Sequence, residues 1–127
     1  MKKTISSQQK KRRLQKKADK LYQEICRMLY NQCEVCGKPM TVTHHFFPRS
    51  TCSALRYNIK NGIHLCNGCH FSHHNGNPEI HNIVNEKRGK EWLEELRAIK
   101  RNTVVKDSIS YYEDIIKKLE LIKPYKI

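Results

Sequence analysis

The sequence predicts a small α+β fold in which two strands and a helix close around a zinc ion, with a long basic helix before them and further helices after them. Three observations carry this. Two C-x2-C pairs, Cys33/Cys36 and Cys66/Cys69, stand in one short stretch. Between them lie a β-branched and aromatic run at residues 40–47 and a shorter apolar run at 63–65. On both sides, apolar residues recur at steps of three and four, the period of an amphipathic helix. Zinc prefers tetrahedral thiolate coordination, and a C-x2-C turn sets two sulfurs on one side of the ion, so two such turns complete the shell.

Composition narrows the setting. The chain has 127 residues, with 25 Lys+Arg against 12 Asp+Glu and a formal net charge of +13. That size fits one small domain with appendages, divided here into 1–30, 31–77 and 78–127. The charge excess favours a polyanionic partner, most often nucleic acid. Only 38% of the residues are hydrophobic and the mean hydropathy is −0.77. A core that small gains from a structural metal, whose binding free energy adds to folding. The N-terminus lacks an apolar signal core, and no stretch approaches the roughly 20 apolar residues that span a bilayer. The expected setting is therefore a reducing, cytoplasmic compartment with no membrane partner, where paired cysteines hold zinc rather than form disulfides.

In chain order, residues 1–7 read as disordered. A helix follows over about 8–30, with Leu14, Ala18, Leu21, Ile25, Met28 and Leu29 on its apolar side. Its first half carries Lys10, Lys11, Arg12, Arg13, Lys16, Lys17 and Lys20, either a solvated face or a phosphate-contacting one. Cys26 falls on the apolar side and reads as a small core residue. Residues 33–39 form a zinc knuckle, 40–47 the first strand, 48–59 a longer connection holding Cys52 as a loop thiol, and 63–65 the second strand. A short helix over 67–74 is stopped by Asn75-Gly76-Asn77-Pro78. Helices over 78–87 and 90–101 are separated by Gly89, and a last helix covers 110–122 after a linker at 103–108.

The histidines suggest a second task. His44 and His45 are adjacent on a strand, so their side chains take opposite faces. One can ligate a metal while the other addresses a water. His70 and His74 are four apart on a helix and can share an ion, and His73 could replace His74. His64, His73 and His81 otherwise read as ordinary residues.

This pattern resembles the HNH, or ββα-metal, endonucleases in their zinc-containing branch, whose core is treble-clef-like. That resemblance implies His44 as metal ligand, His45 as general base, Asn61 as the residue orienting the base, and His70 as second ligand, with His74 beside it. The common family form has Asp where this chain has His44. The His-His form is similar to the colicin-type DNases, in which two helix histidines four apart join the first-strand histidine on the metal. Over residues 30–95 the chain resembles lambdoid-phage NinG-type recombination proteins. The similarity rests on His45-Phe46-Phe47-Pro48-Arg49-Ser50, Ala54-Leu55-Arg56-Tyr57-Asn58, Asn61, the second C-x2-C, His81-Asn82-Ile83-Val84 and Glu86-Lys87-Arg88-Gly89. Those proteins commonly carry Asn where this chain has His70.

What the resemblance implies is hydrolysis of DNA phosphodiester bonds to a 5′-phosphate and a 3′-hydroxyl, in a bacterial host cell if the chain is phage-encoded. Zn²⁺ would be structural, and Mg²⁺, Mn²⁺, Ni²⁺ or Co²⁺ would serve catalysis. The substrate would be double-stranded or branched DNA; the charge pattern, not the resemblance, offers Lys10, Lys11, Arg12, Arg13, Lys16 and Lys17 as its contacts, with Arg49 and Arg56 as further candidates. The Asn61 side-chain carbonyl is expected to fix the tautomer of His45 by accepting its other N–H. The competing reading is a non-catalytic zinc module that binds DNA or a recombination partner. Neither oligomeric state nor substrate preference follows from the sequence.

Overall fold

The computed structural model describes residues 5–74 and 79–123, with His74 described by its backbone alone. The elements run α1 (Ser7–Leu29), β1 (Val42–His45), β2 (Gly62–Leu65), α2 (Asn67–His74), α3 (Glu79–Arg88), α4 (Lys90–Asn102) and α5 (Ile109–Ile122). Two short 3-10 turns, Ser53–Leu55 and Ile59–Asn61, lie in the connection between the strands. This is a small α+β architecture of five helices and one two-stranded sheet among the described residues.

Of the segment expected to be disordered, residues 1–4 lie outside the described residues, and residues 5–7 are ordered for a local reason. Ser6 closes a capping box: its hydroxyl accepts from the Gln9 N–H, and the Gln9 side chain accepts from the Ser6 N–H. Two of the orphan donors of the first turn are thus satisfied. The helix then extends for 23 residues. It buries Ala18, Leu21, Tyr22, Ile25 and Cys26 against Tyr112, Ile116 and Leu119 of α5, with Met40 and Tyr57 completing the cluster.

β1 and β2 pair antiparallel, with Val42 opposite Leu65, Thr43 opposite His64, His44 opposite Ile63 and His45 opposite Gly62. The strand expected over 40–47 is shorter at both ends. After His45 the ladder gives way to Asn61: its backbone carbonyl accepts from Phe46, and its side chain takes over both polar groups of Phe47. Gly62 is required where it stands. A Cβ there would lie 2.6 Å from Thr43 Cγ2 and 2.9 Å from the Tyr22 hydroxyl, so any side chain would push α1 off the sheet.

A second core packs Phe46, Ile63 and Leu65 with Ile80 and Val84 of α3 and with Cys33 and Cys66. A third joins Cys52, Leu55 and Leu96. Cys52, expected as a loop thiol, is a buried core residue, 4% exposed, because the connection folds back on α4. Gly89, at φ +87°, separates α3 from α4 as its left-handed conformation favours.

Arg88 at the end of α3 ties these layers together. Its guanidinium donates to the Lys60 carbonyl at 2.9 Å and the Gly62 carbonyl at 2.7 Å, pairs with Glu34 of the Cys33–Cys36 turn, and lies over the Trp92 ring. Both side chains of the Arg88–Glu34 pair are part-buried, at 16% and 17% exposed, and removing one partner of such a pair leaves the other charge largely uncompensated. Arg88→Ala is therefore expected to cost about 3 kcal/mol, measured as a lowered midpoint in urea unfolding; a change under about 0.5 kcal/mol, the range of ordinary surface substitutions, would assign the pair to the solvated surface.

Candidate metal centre and base

The four paired cysteines converge as expected. The sulfurs of Cys33, Cys36, Cys66 and Cys69 all lie within 4.8 Å of one another, and Cys36 Sγ is 3.5 Å from Cys66 Sγ. Four sulfurs about 2.3 Å from a tetrahedral zinc are separated by roughly 3.8 Å, so the cluster fits the ion. The knuckle around them is held by the bonds from Cys33 N–H to the Lys38 carbonyl and from Gly37 N–H to the Cys33 carbonyl. The Cys69 N–H donates to Cys66 Sγ at 3.4 Å. Burial alone would push the Cys33 thiol up, but backbone N–H groups including those of Cys36 and Cys66 bring it down to about 7. The same backbone donation, from Cys69, lowers Cys66. Burial and the crowding of the neighbouring sulfurs push the Cys69 thiol the other way, so it is Cys33 and Cys66 that lean toward the thiolate, the form that zinc binds.

His44 and His45 diverge onto the two faces of β1. His44 faces α2 and α3. Its Nε2 stands 3.0 Å from Nε2 of His73, and each of His44, His73 and His81 offers a ring nitrogen within 4.8 Å of the others. Two imidazoles on a tetrahedral ion at about 2.0–2.1 Å hold their nitrogens roughly 3.3 Å apart, so this trio also fits a metal. His81 stacks on Phe46 at 4.6 Å and on His73 at 5.0 Å, and its Nε2 is buried with no hydrogen-bond partner among the described residues. A buried ring nitrogen in that condition is costly unless something fills it.

His70, expected as the second ligand, stands outside the trio. Its ring centroid is 5.9 Å from that of His44, against 6.3 Å for His81, so the converging nitrogens and not the ring distance set the trio apart. It lines an open cleft of about 390 Å³ together with His44, His45, Arg49 and Gln23. The side chain of His74 lies outside the described residues. His81 carries no spacing signal toward the cysteines. Its one trace in the sequence is an imidazole at the edge of an apolar helix face, three residues before the buried Val84 and one after the buried Ile80.

His45 takes the other face. Its Nε2 lies 2.7 Å from the backbone carbonyl of Arg56. A carbonyl only accepts, so Nε2 carries the proton and Nδ1 holds the lone pair. Burial, helped by the charges of Arg49 and Arg56, lowers its pKa from the ordinary histidine value, keeping the ring neutral near pH 7. The residue that fixes the tautomer is thus Arg56, not Asn61. Asn61 is fully buried, and its amide is spent on the loop: Oδ1 accepts from the Phe47 N–H, and Nδ2 donates to the Phe47 and Leu55 carbonyls. Asn61 thus spends its amide on the turn that follows His45 and not on the imidazole.

The expected DNA contacts divide. Lys10, Arg12, Arg13, Lys16 and Lys17 point at least partly to solvent. Lys11 is drawn off to Asp107 at 2.9 Å. Arg56 is 18% exposed and committed to Asp19, whereas Arg49 is 58% exposed and stands at the cleft. Along α1, steps of four, three and four put Arg12, Lys16, Asp19 and Gln23 in one stripe, so the basic half of the helix leads into the cleft that Gln23 lines.

Comparison with family models, with curated proteins and with solved structures finds no match to this chain. The chain is a small α+β protein with four clustered cysteines fitted to zinc. No described helix is long and apolar enough to cross a membrane.

Proposed function

We propose that the protein is a metal-dependent endonuclease of the HNH type that hydrolyses DNA phosphodiester bonds. The observation that carries this reading is the pairing on β1: a neutral imidazole with its tautomer set by a backbone carbonyl, back to back with an imidazole that joins two others in a metal-sized cluster. A module that only binds DNA needs neither.

In this reading His44, with His73 and His81, would hold a divalent ion, which would supply charge stabilisation at the scissile phosphate and at the leaving 3′ oxygen. His45 Nδ1 accepts the proton of the water that attacks phosphorus. Arg49, exposed at the cleft, meets the phosphate, and the stripe from Arg12 to Gln23 guides the backbone toward it. Branched DNA and a role in recombination rest on the family resemblance alone. The direct test is nicking of supercoiled and branched DNA across a panel of Mg²⁺, Mn²⁺, Ni²⁺ and Co²⁺. Absence of cleavage with every ion would hand the site to the binding-module reading.

The basic stripe makes a separate prediction. Each phosphate that the protein ceases to neutralise lowers the slope of log K against log salt by about 0.9. Replacing Lys10, Arg12 and Arg13 by Ala should flatten that slope while the zinc content stays constant. Lys11→Ala alone should leave it nearly unchanged, since Lys11 already serves Asp107. An unaltered slope in the triple variant would leave these charges as a solvated face.

A further inference from the structure

The nuclease reading uses the basic end of α1 to meet DNA, but the middle of that helix makes contacts of a different kind. Asp19 grips Arg56 with two hydrogen bonds, Nε to Oδ1 at 3.0 Å and Nη2 to Oδ2 at 2.7 Å. Arg56 is the residue whose carbonyl receives the His45 Nε2 proton. Tyr22, three residues further along, lies flat against the His45 ring, with centroids 5.2 Å apart and planes 15° from parallel. The Tyr22 hydroxyl donates to the Asn58 carbonyl at 2.9 Å, so the same ring pins the loop that carries Arg56. Gln23 then pairs its amide with both backbone groups of Thr43, at 2.9 and 3.0 Å, closing the edge of β1 that β2 leaves open. Three functions thus come from one turn of α1: the anchor of the carbonyl, the wall of the ring and the edge of the strand.

We infer that Asp19, through Arg56, and Tyr22, by direct stacking, are positioning residues that hold His45 with Nε2–H on the Arg56 carbonyl and Nδ1 toward the cleft, so that the DNA-binding helix is also the frame of the general base. This rests on the nuclease reading for its consequence, but the geometry it describes is a property of the protein alone. The pair is suited to the task. A bidentate Arg–carboxylate contact fixes orientation as well as distance, and Arg56 sits between two short 3-10 turns, where Asp19 is its one ion-pair partner among the described residues. Without Asp19, a mostly buried guanidinium loses its partner and the segment that presents the carbonyl is free to shift. Asp19 is also 3.8 Å from Arg49, a loose contact on an exposed side chain. Asp19 therefore keeps Arg56 while leaving Arg49 available to a phosphate.

A purely electrostatic view of Asp19 predicts a change in binding without a change in cleavage. An acidic residue in a basic stripe repels DNA, so removing it should tighten binding and do nothing else. The positioning role predicts that Asp19→Asn binds DNA as tightly as wild type or tighter, yet cleaves with kcat lower by between about 10- and 100-fold, the scale of a small misplacement of a reacting group. Arg56→Lys should fall as far, because a lysine cannot reproduce the fork. Asp19→Glu should recover part of the loss. The second readout needs no cleavage. In protein labelled with ¹⁵N-histidine, the Nε2 proton of His45 should be visible and protected from exchange in wild type, and should exchange rapidly in Asp19→Asn and in Tyr22→Leu, with zinc content and far-ultraviolet dichroism unchanged. If wild type cuts and Asp19→Asn keeps both its kcat and the protected proton, the inference is overturned. If wild type cuts nothing, the nuclease reading falls, while the exchange experiment still decides whether α1 holds the ring.

Discussion

Purified protein should carry one tightly held zinc, and Cys66→Ser should abolish both the zinc and the fold of the strand–strand–helix unit. The expected effect is large because two of the four ligands are also core residues: Cys33 and Cys66 are 3% and 8% exposed and pack with Ile63, Leu65, Ile80 and Val84. Structural zinc in small modules contributes roughly 10–16 kcal/mol apparent at neutral pH, more than the whole stability of most domains of this size. Removing the metal should not erase all structure. The cluster formed by α1 and α5 contains none of the four zinc cysteines. Chelation should therefore remove the tertiary signal of Trp92, which packs on the zinc-side cores, while much of the far-ultraviolet helical signal remains. Elemental analysis that finds folded protein free of zinc would sink this prediction.

The two parts of the molecule differ in how far the sequence announces them. The zinc cluster is legible because its chemistry is local: each C-x2-C pair sets its own geometry, and only the meeting of the pairs is left to the fold. The split of His44 and His45 is legible for the same reason, since alternation along a strand is a local property. Roles that depend on a long connection are not. The partner of His45 is a backbone carbonyl at Arg56, which has no side-chain signature, and it reaches the ring only because the chain between the strands folds into two short turns. Asn61 has the chemistry of a partner because an amide can accept an N–H, but burial sets it to work inside the turn. His73 is open to the sequence reading as the alternative to His74, but the joining of His81 to His44 is hidden because the approach of α3 to β1 is decided by packing of Ile80 and Val84, not by histidine spacing. In the sequence Asp19 is one acidic interruption of a basic helix, and only the contact with Arg56 gives it a task.

His45→Ala should keep the zinc, the fold and the affinity for DNA, and lose cleavage by about 10²–10⁴-fold, the usual worth of a general base. The ring is half-buried against Tyr22, so His45→Gln, which retains more of that contact, serves as the control for any loss of stability. The ion site should respond differently. His44→Ala should weaken binding of the second ion, followed by calorimetry or by the visible spectrum of bound Co²⁺, whereas His45→Ala should leave it intact, because the two rings leave β1 on opposite faces. The geometry further orders the helix residues. His73→Ala and His81→Ala should lower ion affinity more than His70→Ala, since the first two stand with His44 in the cluster and His70 lines the cleft. The reverse order would return His70 to the ligand set and move His81 to the packing around Phe46. A centre of three imidazoles should prefer Mn²⁺, Ni²⁺ or Co²⁺ to Mg²⁺, a hard ion that favours oxygen. If His45→Ala cuts as fast as wild type, the base lies elsewhere; the neighbouring imidazole of His44 is then the next to test, and the fixed tautomer of His45 becomes a structural feature of the turn.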